Sequence, residues 1–576
     1  MKQHDPVTEH VFRRAVAAVH AGTLANIVQQ DMTSTVGRSR SQRWDAMFVL
    51  FMVAAIEGYG ELHLTSVHEV SERLSRKQVE QIGLRLPVTY SQVESAVSDL
   101  ADAMTEQVHP ETGEVQEARL SLSLTDFMTS LVSQVIPRPL RGRATLALDS
   151  TDYEAWSRRR SWASHMRPDD APGSLPEPDF EPPRKRAVNE PGWPKPGHDG
   201  RLQHSVDPDA RDGYRSGKNL ARKGIFSGWD VHLAAHIPEH GGHSEAALTQ
   251  AVCLAPAGSY KAAAGVEVVD SLVRAGTAPE TLLVDRGYSY AKQDAWALPL
   301  VERDVEQVFD LHPSQRGTRP GPINGTIWVD GGLFLDHLPK DLRDLPGYSL
   351  GMTATAKAQL AQTYDRRQPW AFTPMGGPHP ERGTQRFRGP ALAGRVRCVN
   401  NSRSMRLNPA SKPTTSCRKG ETCACGKTLT LAREEMAQLR QRDLFGTTAW
   451  RASYGRRGGV ESLNASLSEH HGHLRRGSTR VLGTHRTGIL LGFILAATNV
   501  RILMACYGYD IGNPPPEGTE IKSQPSKSQA LHRRLPFKRR QRRAKSRPPG
   551  SGPPRSVPPP GSSTAWEPLK DNTKTD

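Results

Sequence analysis

The order strand, helix, strand between residues 224 and 285 is the sequence feature that most limits the fold. GIFSGWDVHLAAHIP (224–238) reads as a strand, and GVEVVDSLVRAG (265–276) reads as a helix that closes at its final glycine. TLLVD (281–285) follows at once and is apolar on both faces, as a central parallel strand should be. This order predicts an α/β unit.

The rest of the chain divides by composition and periodicity. Residues 429–446 (LTLAREEMAQLRQRDLFG) are expected to be helical, and residues 487–508 should form a helix that is buried nearly all round. The predicted organisation is a helical region at 1–136 with a helix-turn-helix pattern, a catalytic domain at 140–312 and 431–510, a proline-rich insertion at 157–212, a small β-rich insertion at 313–430 and a disordered basic tail at 511–576.

Charge and cysteine usage narrow the partner and the compartment. The 576 residues carry a formal net charge of +16, which favours a polyanionic partner such as nucleic acid. Six cysteines are too few for a disulfide framework, which indicates a reducing cytoplasm. The N-terminus has no apolar core of a signal peptide, and the longest apolar runs fall short of the roughly 20 residues that span a bilayer. We therefore expect a cytoplasmic protein without membrane contact.

Three carboxylates from distant places are candidate metal ligands. Asp149 ends the apolar run of a predicted strand at 144–149, Asp285 ends the next apolar strand, and Glu461 lies in a short helix. Sites in open α/β sheets lie at the carboxyl ends of strands, and Mg²⁺ prefers a few carboxylates plus water and substrate oxygens. An aspartate after a strand is also a common turn residue. Asp152, near Asp149, is an alternative first ligand, and Asp230 and Asp330 are further competitors.

These blocks resemble bacterial insertion-sequence transposases of the DDE class, which have a ribonuclease H-like catalytic domain. LALDSTDYEAW is similar to the block of the first aspartate, and LLVDRGYSY is similar to the block of the second. Tyr454-x2-Arg457-x3-Glu461 matches the Tyr-Arg-Glu-Lys signature of one large group of that class. The resemblance covers roughly 140–510, and it departs from the signature at Ser468, where the group has a lysine that contacts DNA phosphate.

The resemblance implies a chemistry and a set of roles. Asp149, Asp285 and Glu461 would hold Mg²⁺ or Mn²⁺ for strand cleavage and strand transfer at transposon ends. Arg457 would clamp a phosphate, Tyr454 would hydrogen-bond or stack beside the DNA, and Arg475 or Arg476 would replace the missing lysine.

The implied partner is double-stranded DNA with terminal inverted repeats, bound by a homodimer in the bacterial nucleoid. Two alternatives stay open: a catalytically impaired DNA-binding relative, suggested by Ser468, and a nuclease on the same fold.

Four cysteines form a second candidate site. Cys417, Cys423 and Cys425 lie close together, and Cys398 lies upstream on a strand-like segment. Four thiolates suit structural Zn²⁺, although the spacing Cys-x5-Cys-x-Cys is uncommon in zinc fingers. Free thiols in an ordinary loop are the alternative interpretation. Residues 395–428 hold few large apolar side chains, so a metal ion would supply the organisation that a hydrophobic core cannot.

Overall fold

The computed structural model describes most of the chain up to residue 523. The described residues are 5–33, 42–108, 112–159, 195–215, 224–238, 245–349, 351–377, 379 and 381–523. The proline-rich residues 160–194 and residues 524–576 of the tail, which were expected to be loop or disordered, lie outside the described residues. Residues 511–523 of the expected disordered tail are described and contact the folded chain, since Ile511 is buried and the Ala246 amide donates to Ser523 Oγ.

Helices dominate the N-terminal region. They are α1 (Glu9–His20), α2 (Leu24–Met32), α3 (Trp44–Glu57), α4 (Leu64–Arg73), α5 (Arg76–Ile82), α6 (Tyr90–Ala103) and α7 (Leu124–Gln134), with a small hairpin of β1 (Gln107–Val108) and β2 (Val115–Gln116) between the last two. Helix α3 is buried on nearly every side, since Phe48 and Phe51 pack against Phe493 from the C-terminal part of the chain. This packing joins the N-terminal helices to the main core.

A mixed sheet forms the centre of the protein. Its strands are β3 (Thr145–Glu154), β6 (Arg211–Arg215), β7 (Gly224–His236), β8 (Thr249–Pro256), β9 (Thr281–Val284) and β10 (Glu306–Phe309). A separate hairpin of β4 (Lys195–Pro196) and β5 (Leu202–Gln203) follows β3 in the chain. Three helices lie between the later strands: α8 (Lys261–Arg274), α9 (Arg286–Ser289) and α10 (Ala297–Glu302). Strands β10, β9 and β3 are parallel, and β7 is antiparallel to β3, β6 and β8. The expected strands at β7 and β9 and the helix α8 are present, but an unpredicted strand, β8, lies between β7 and α8 and pairs antiparallel with β7. The fold is mixed α/β with flanking helices.

Three details of this region differ from expectation. Strand β3 runs on past Asp149 to Glu154, because the long strand β7 pairs with it up to that residue. Asp149 therefore lies inside a strand and not at its end. Residues 195–212, the described C-terminal part of the insertion expected to be loop or disordered, instead fold onto the sheet and bury Asp207 and Ala210.

An insertion follows β10, and we call residues 318–432 the insertion lobe. It contains β11 (Thr318–Pro320), β12 (Thr326–Val329), β13 (Gly332–Leu335), α11 (Ala354–Asp365), β14 (Thr373–Pro374), β15 (Thr384–Arg388), α12 (Ser402–Met405) and β16 (Thr428–Ala432). Two three-stranded antiparallel sheets, β11–β12–β13 and β14–β15–β16, surround a hydrophobic cluster that is separate from the main core.

The chain returns to the main sheet by a different route from the expected one. Residues 429–446 are not helical, because Leu429 and Leu431 alternate into the lobe core as part of β16, and turns follow. The last helices are α13 (Thr448–Gly455), α14 (Gly458–Ala465) and α15 (Thr484–Ile502), and π-helical turns extend α14 to His470 and α15 to Tyr507. Single 3-10 turns lie at Arg138–Leu140, Pro313–Gln315, Lys340–Leu342 and Gln368–Trp370.

Helix α15 was expected to be buried, and the structure confirms it. With its π-helical extension it is long and apolar enough to cross a membrane, yet 78 % of its most apolar 18-residue stretch is buried inside the protein. Core helices of soluble proteins have this property, so the helix agrees with a soluble protein.

Candidate functional site

The fold brings two of the predicted carboxylates close together. Strand β3 pairs with β9 in parallel as far as Ala147 opposite Leu283, and each chain reaches its aspartate two residues later. Asp149 and Asp285 are near enough for the negative charge of Asp285 to raise the pKa of Asp149. Asp285 directly follows β9 and caps helix α9, since its Oδ1 accepts a hydrogen bond of 2.8 Å from the Gly287 amide. The two aspartates therefore form a pair at one edge of the parallel strands.

Asp149 is a largely buried carboxylate with a polar partner on helix α14. Its side chain is 13 % exposed, and its Oδ2 accepts a hydrogen bond of 3.1 Å from Asn464 Nδ2. Burial raises the pKa of Asp149, the positive charge of Arg457 lowers it, and the negative charge of Asp285 raises it again. The net pKa is above the ordinary value, so a cation near the pair would stabilise its charged form.

Arg457 joins Asp149 to Glu461. The break between α13 and α14 places Arg457 at the start of α14, where its Nη1 donates a hydrogen bond of 2.6 Å to Glu461 Oε1. Its Nη2 lies 3.6 Å from Asp149 Oδ1. Burial lowers the pKa of this guanidinium, but the carboxylates around it, Asp149 foremost, outweigh burial and raise the pKa. Arg457 is thus the cation that balances the site in this conformation.

Tyr454 lies one turn before this break and is held by stacking. Its ring stacks on that of Trp450, with centroids 4.9 Å apart and planes inclined by 14°. Burial raises the pKa of Tyr454 to about 12. The phenol is therefore protonated at neutral pH and can donate a hydrogen bond.

The three carboxylates do not form a closed metal cage. Glu461 has a 62 % exposed side chain and points to Arg457. Among the described residues, the only group of three or more His, Cys, Asp or Glu side chains with ligand atoms within 4.8 Å of one another is the four-cysteine cluster. The structure thus gathers Asp149 and Asp285 and links Glu461 to them through an arginine.

The alternative first ligand is on the other side of the sheet. Asp152 lies three residues beyond Asp149, and side chains of a strand alternate between its two faces. Asp152 pairs in register with Asp230 of β7, whereas Arg457 and Asn464 contact Asp149. The geometry therefore favours Asp149 over Asp152 as the partner of Asp285.

The other predicted DNA contacts are engaged within the protein. Arg475 forms an ion pair with Glu61, and Arg476 donates a hydrogen bond of 3.1 Å to the Trp156 carbonyl. Ser468 Oγ donates to the Asn464 carbonyl at 3.0 Å. Each of these side chains has a partner apart from the paired aspartates.

Two residues of the site were missed from the sequence. Asn464 follows Glu461 by three residues, so helical spacing places both on one face of α14, a signal that could have found it. Lys261 at the start of α8 donates a hydrogen bond of 2.9 Å to Ser150 Oγ, beside Asp149 in β3. No sequence spacing links Lys261 to β3, because only the fold brings the two together.

The four cysteines of the insertion lobe meet as predicted. Their sulfur atoms all lie within 4.8 Å of one another, with Cys417 Sγ 3.4 Å from Cys425 Sγ and Cys398 Sγ 3.7 Å from Cys423 Sγ. Disulfide sulfurs would be about 2.05 Å apart. Zn–S bonds of about 2.3 Å in a tetrahedron would put the sulfurs about 3.8 Å apart. The cluster is therefore shaped to hold a metal ion such as zinc.

Polar groups surround this cluster and fix its ligands. His337 Nε2 lies 3.0 Å from Cys417 Sγ, and its Nδ1 lies 2.8 Å from Ser416 Oγ. Asn400 Nδ2 lies 3.8 Å from Cys423 Sγ and donates to the carbonyls of two nearby loop residues. Such outer partners orient ligands in metal sites.

Comparison of the chain with protein-family models finds no match. Comparisons with curated proteins and with solved structures find none either.

Proposed function

We propose that this chain is a DDE-class transposase that cleaves DNA strands and joins them to a target in a metal-dependent reaction. The observation that carries the proposal is the closeness of Asp149 and Asp285, which follow the parallel pairing of β3 with β9 and interact electrostatically. Two neighbouring carboxylates just beyond the parallel pairing of two strands are typical of metal sites that act on phosphodiesters. The strongly basic balance of the chain agrees with a nucleic-acid substrate.

The proposal includes a ribonuclease H-like fold for the central sheet. Support comes from the mixed sheet, in which α8 connects the antiparallel strands β7 and β8 to the parallel strands β9 and β10. The three sequence blocks also occur in the same order as in the transposases that they resemble, with the block of Glu461 after a large insertion.

The donor set at the paired aspartates suits Mg²⁺ or Mn²⁺. Asp149 and Asp285 supply carboxylate oxygens, and Glu461 would join them once it parts from Arg457. Bound there, the ion would activate the attacking oxygen and stabilise the leaving one.

The protein's own residues would bind and orient the DNA. Arg457, released from Glu461, has the fork geometry that suits a phosphate, and its Nε has no partner among the described residues. Asn464 Nδ2 donates a hydrogen bond to Asp149 Oδ2 and so fixes the orientation of this carboxylate. Tyr454 presents a protonated hydroxyl beside the same guanidinium.

Asp285→Asn tests this function. It removes a charge with little change in size, so it should reduce cleavage of a transposon-end duplex in Mg²⁺ at least a hundredfold while end binding changes less than threefold. Glu461→Gln should behave alike. Glu469→Gln, a carboxylate change in the same helical segment, is the matched control and should cleave normally. Cleavage by Asp285→Asn at the wild-type rate would refute the assignment. A wild-type chain that binds transposon ends without cleaving them would favour the alternative of a catalytically impaired DNA-binding relative.

We also propose that the ion of the cysteine cluster is structural Zn²⁺. Four sulfur ligands close a tetrahedral site and leave no position for substrate, as in structural zinc centres. The cluster belongs to the insertion lobe and not to the paired aspartates. Zinc would therefore stabilise the lobe and take no part in strand cleavage.

A further inference from the structure

The outer face of the sheet β14–β15–β16 is built differently from its inner face. Side chains alternate along a strand, so Phe387, Leu429 and Leu431 turn inward and pack in the lobe core. The opposite face presents two arginines of β15, flanked by two threonines of β16: Arg386, Arg388, Thr428 and Thr430. This set of residues is called the arginine–threonine face below.

The two arginines of this face lie in a strongly basic segment of the chain. Residues 382–427 contain eleven lysines and arginines but a single carboxylate, Glu421. Arg386 and Arg388 are exposed, and neither makes an ion pair with a described carboxylate. By contrast, Arg433, just beyond β16, pairs with Asp304 at 3.4 Å. The two arginines of β15 are thus held together without a counter-charge, which costs free energy unless an anion binds.

The metal-binding cluster anchors this face. Beyond β15, the Gly389 amide donates to the Lys427 carbonyl at 2.8 Å and the Ala391 amide donates to the Cys425 carbonyl at 2.9 Å. A Cβ on Gly389 would lie 2.6 Å from the Cys425 carbonyl oxygen, so only glycine permits this approach. The sheet therefore continues directly into a cysteine of the cluster, which rigidifies its basic end.

We propose that the arginine–threonine face binds the phosphate backbone of duplex DNA. The inference rests on the proposed function for the choice of DNA, and it adds a contact surface outside the paired aspartates. Arginine and threonine side chains are common donors to phosphate oxygens. Two arginines two residues apart on a strand are about 6.7 Å apart, so both can reach one stretch of backbone. The contact reads no sequence, because it involves phosphates only.

The test measures binding of a random-sequence duplex as a function of salt, without added Mg²⁺ and without chelator. In the full chain, the double variant Arg386→Gln with Arg388→Gln should make the negative slope of log K against log salt less steep by nearly two units. The matched control is Arg403→Gln with Arg406→Gln, which removes the same charge from exposed positions of the same lobe. The control should change the slope by less than half as much.

Three outcomes would overturn the proposal: an unchanged slope, an equal loss in both double variants, or stronger binding of single-stranded RNA than of duplex DNA. Unchanged reactivity of the lobe cysteines toward a thiol reagent shows that the β15 variant is folded. This assay measures binding and needs no cleavage. The cleavage result with Asp285→Asn therefore bears on the proposed chemistry, and the binding result with the β15 variant bears on this face.

Discussion

At the scale of the residue, the burial of single titratable groups sets the pH range of stability. His236 is fully buried, and its Nδ1 accepts a hydrogen bond of 3.2 Å from the Leu248 amide, which requires a neutral ring. Burial and the nearby Arg143 lower the pKa of His236 to about 3, although Glu245 lies 3.7 Å away. Burial and Lys261 do the same for His232. Both rings contribute to stability only while they are neutral.

The sign of the pH dependence follows from these shifts. An unfolded histidine has a pKa of about 6.5 and takes up a proton that the folded ring refuses, so stability is full above this pH and falls toward pH 3. We expect each buried histidine to contribute a slope of up to about 1.4 kcal/mol per pH unit in the free energy of unfolding. Urea unfolding at pH 7.5, 6 and 5 measures it.

The histidine variants separate this effect from general acid instability. His236→Gln cannot titrate and should make the slope shallower between pH 6 and 5. His10→Gln, at an exposed position of α1, should leave the slope as it is. Equal slopes in His236→Gln and the wild type would contradict the assignment.

At the scale of the element, a buried amide connects three pieces of secondary structure. Asn499 of α15 accepts from the Thr249 amide at 3.0 Å and donates to the carbonyls of Thr249 and Val132 at 2.9 and 3.0 Å. Its side chain thereby satisfies backbone groups of α7 and β8 that no water can reach.

Asn499→Leu should therefore be strongly destabilising. It leaves one amide and two carbonyls without these bonds, and each unsatisfied buried group costs about 1–3 kcal/mol. We expect a loss of roughly 3 kcal/mol or more in the free energy of unfolding, measured by urea denaturation. Thr498→Val is the control, because the Thr498 hydroxyl bonds within its own helix. Equal losses in the two variants would show that packing, and not the amide, matters.

Elements were predictable where local pattern and tertiary pairing agree. The apolar spacing of α8 and the two-faced apolar run of β9 gave their positions within a few residues. Residues 429–446 misled because their apolar residues also fit a helical period, while the pairing of β16 with β15 involves residues some 40 positions away. The extent of β3 past Asp149 depends in the same way on β7. The carboxylates of the candidate site were found from their blocks, but the bridging role of Arg457 required the fold.

At the scale of the whole molecule, two hydrophobic cores share one chain. The main core joins the N-terminal helices, the central sheet and α15, and the smaller core lies inside the insertion lobe beside the four cysteines. Because the ligands belong to the lobe alone, metal binding should control its folding without changing the main core.

Metal analysis tests this division. Protein purified without chelator should hold about one equivalent of zinc per chain. Cys423→Ser should lower that content and make residues 395–428 more sensitive to protease, while Cys506→Ser, a change outside the cluster, should do neither. Zinc-free protein in which all six thiols react in the native state would defeat the idea.

The closeness of Asp149 to Asp285 has a consequence for how this gene tolerates changes in length. A deletion or insertion of one codon between Thr145 and Asp149 would turn the aspartate to the opposite face of β3, because strand side chains alternate. The surface turns between Phe309 and Trp450 are less constrained, since Trp450 Nε1 donates to the Phe309 carbonyl at 3.2 Å and fixes where the insertion lobe leaves and rejoins. Reading-frame-preserving changes of length should therefore accumulate in the surface turns of the lobe and be eliminated from the first strand of the site.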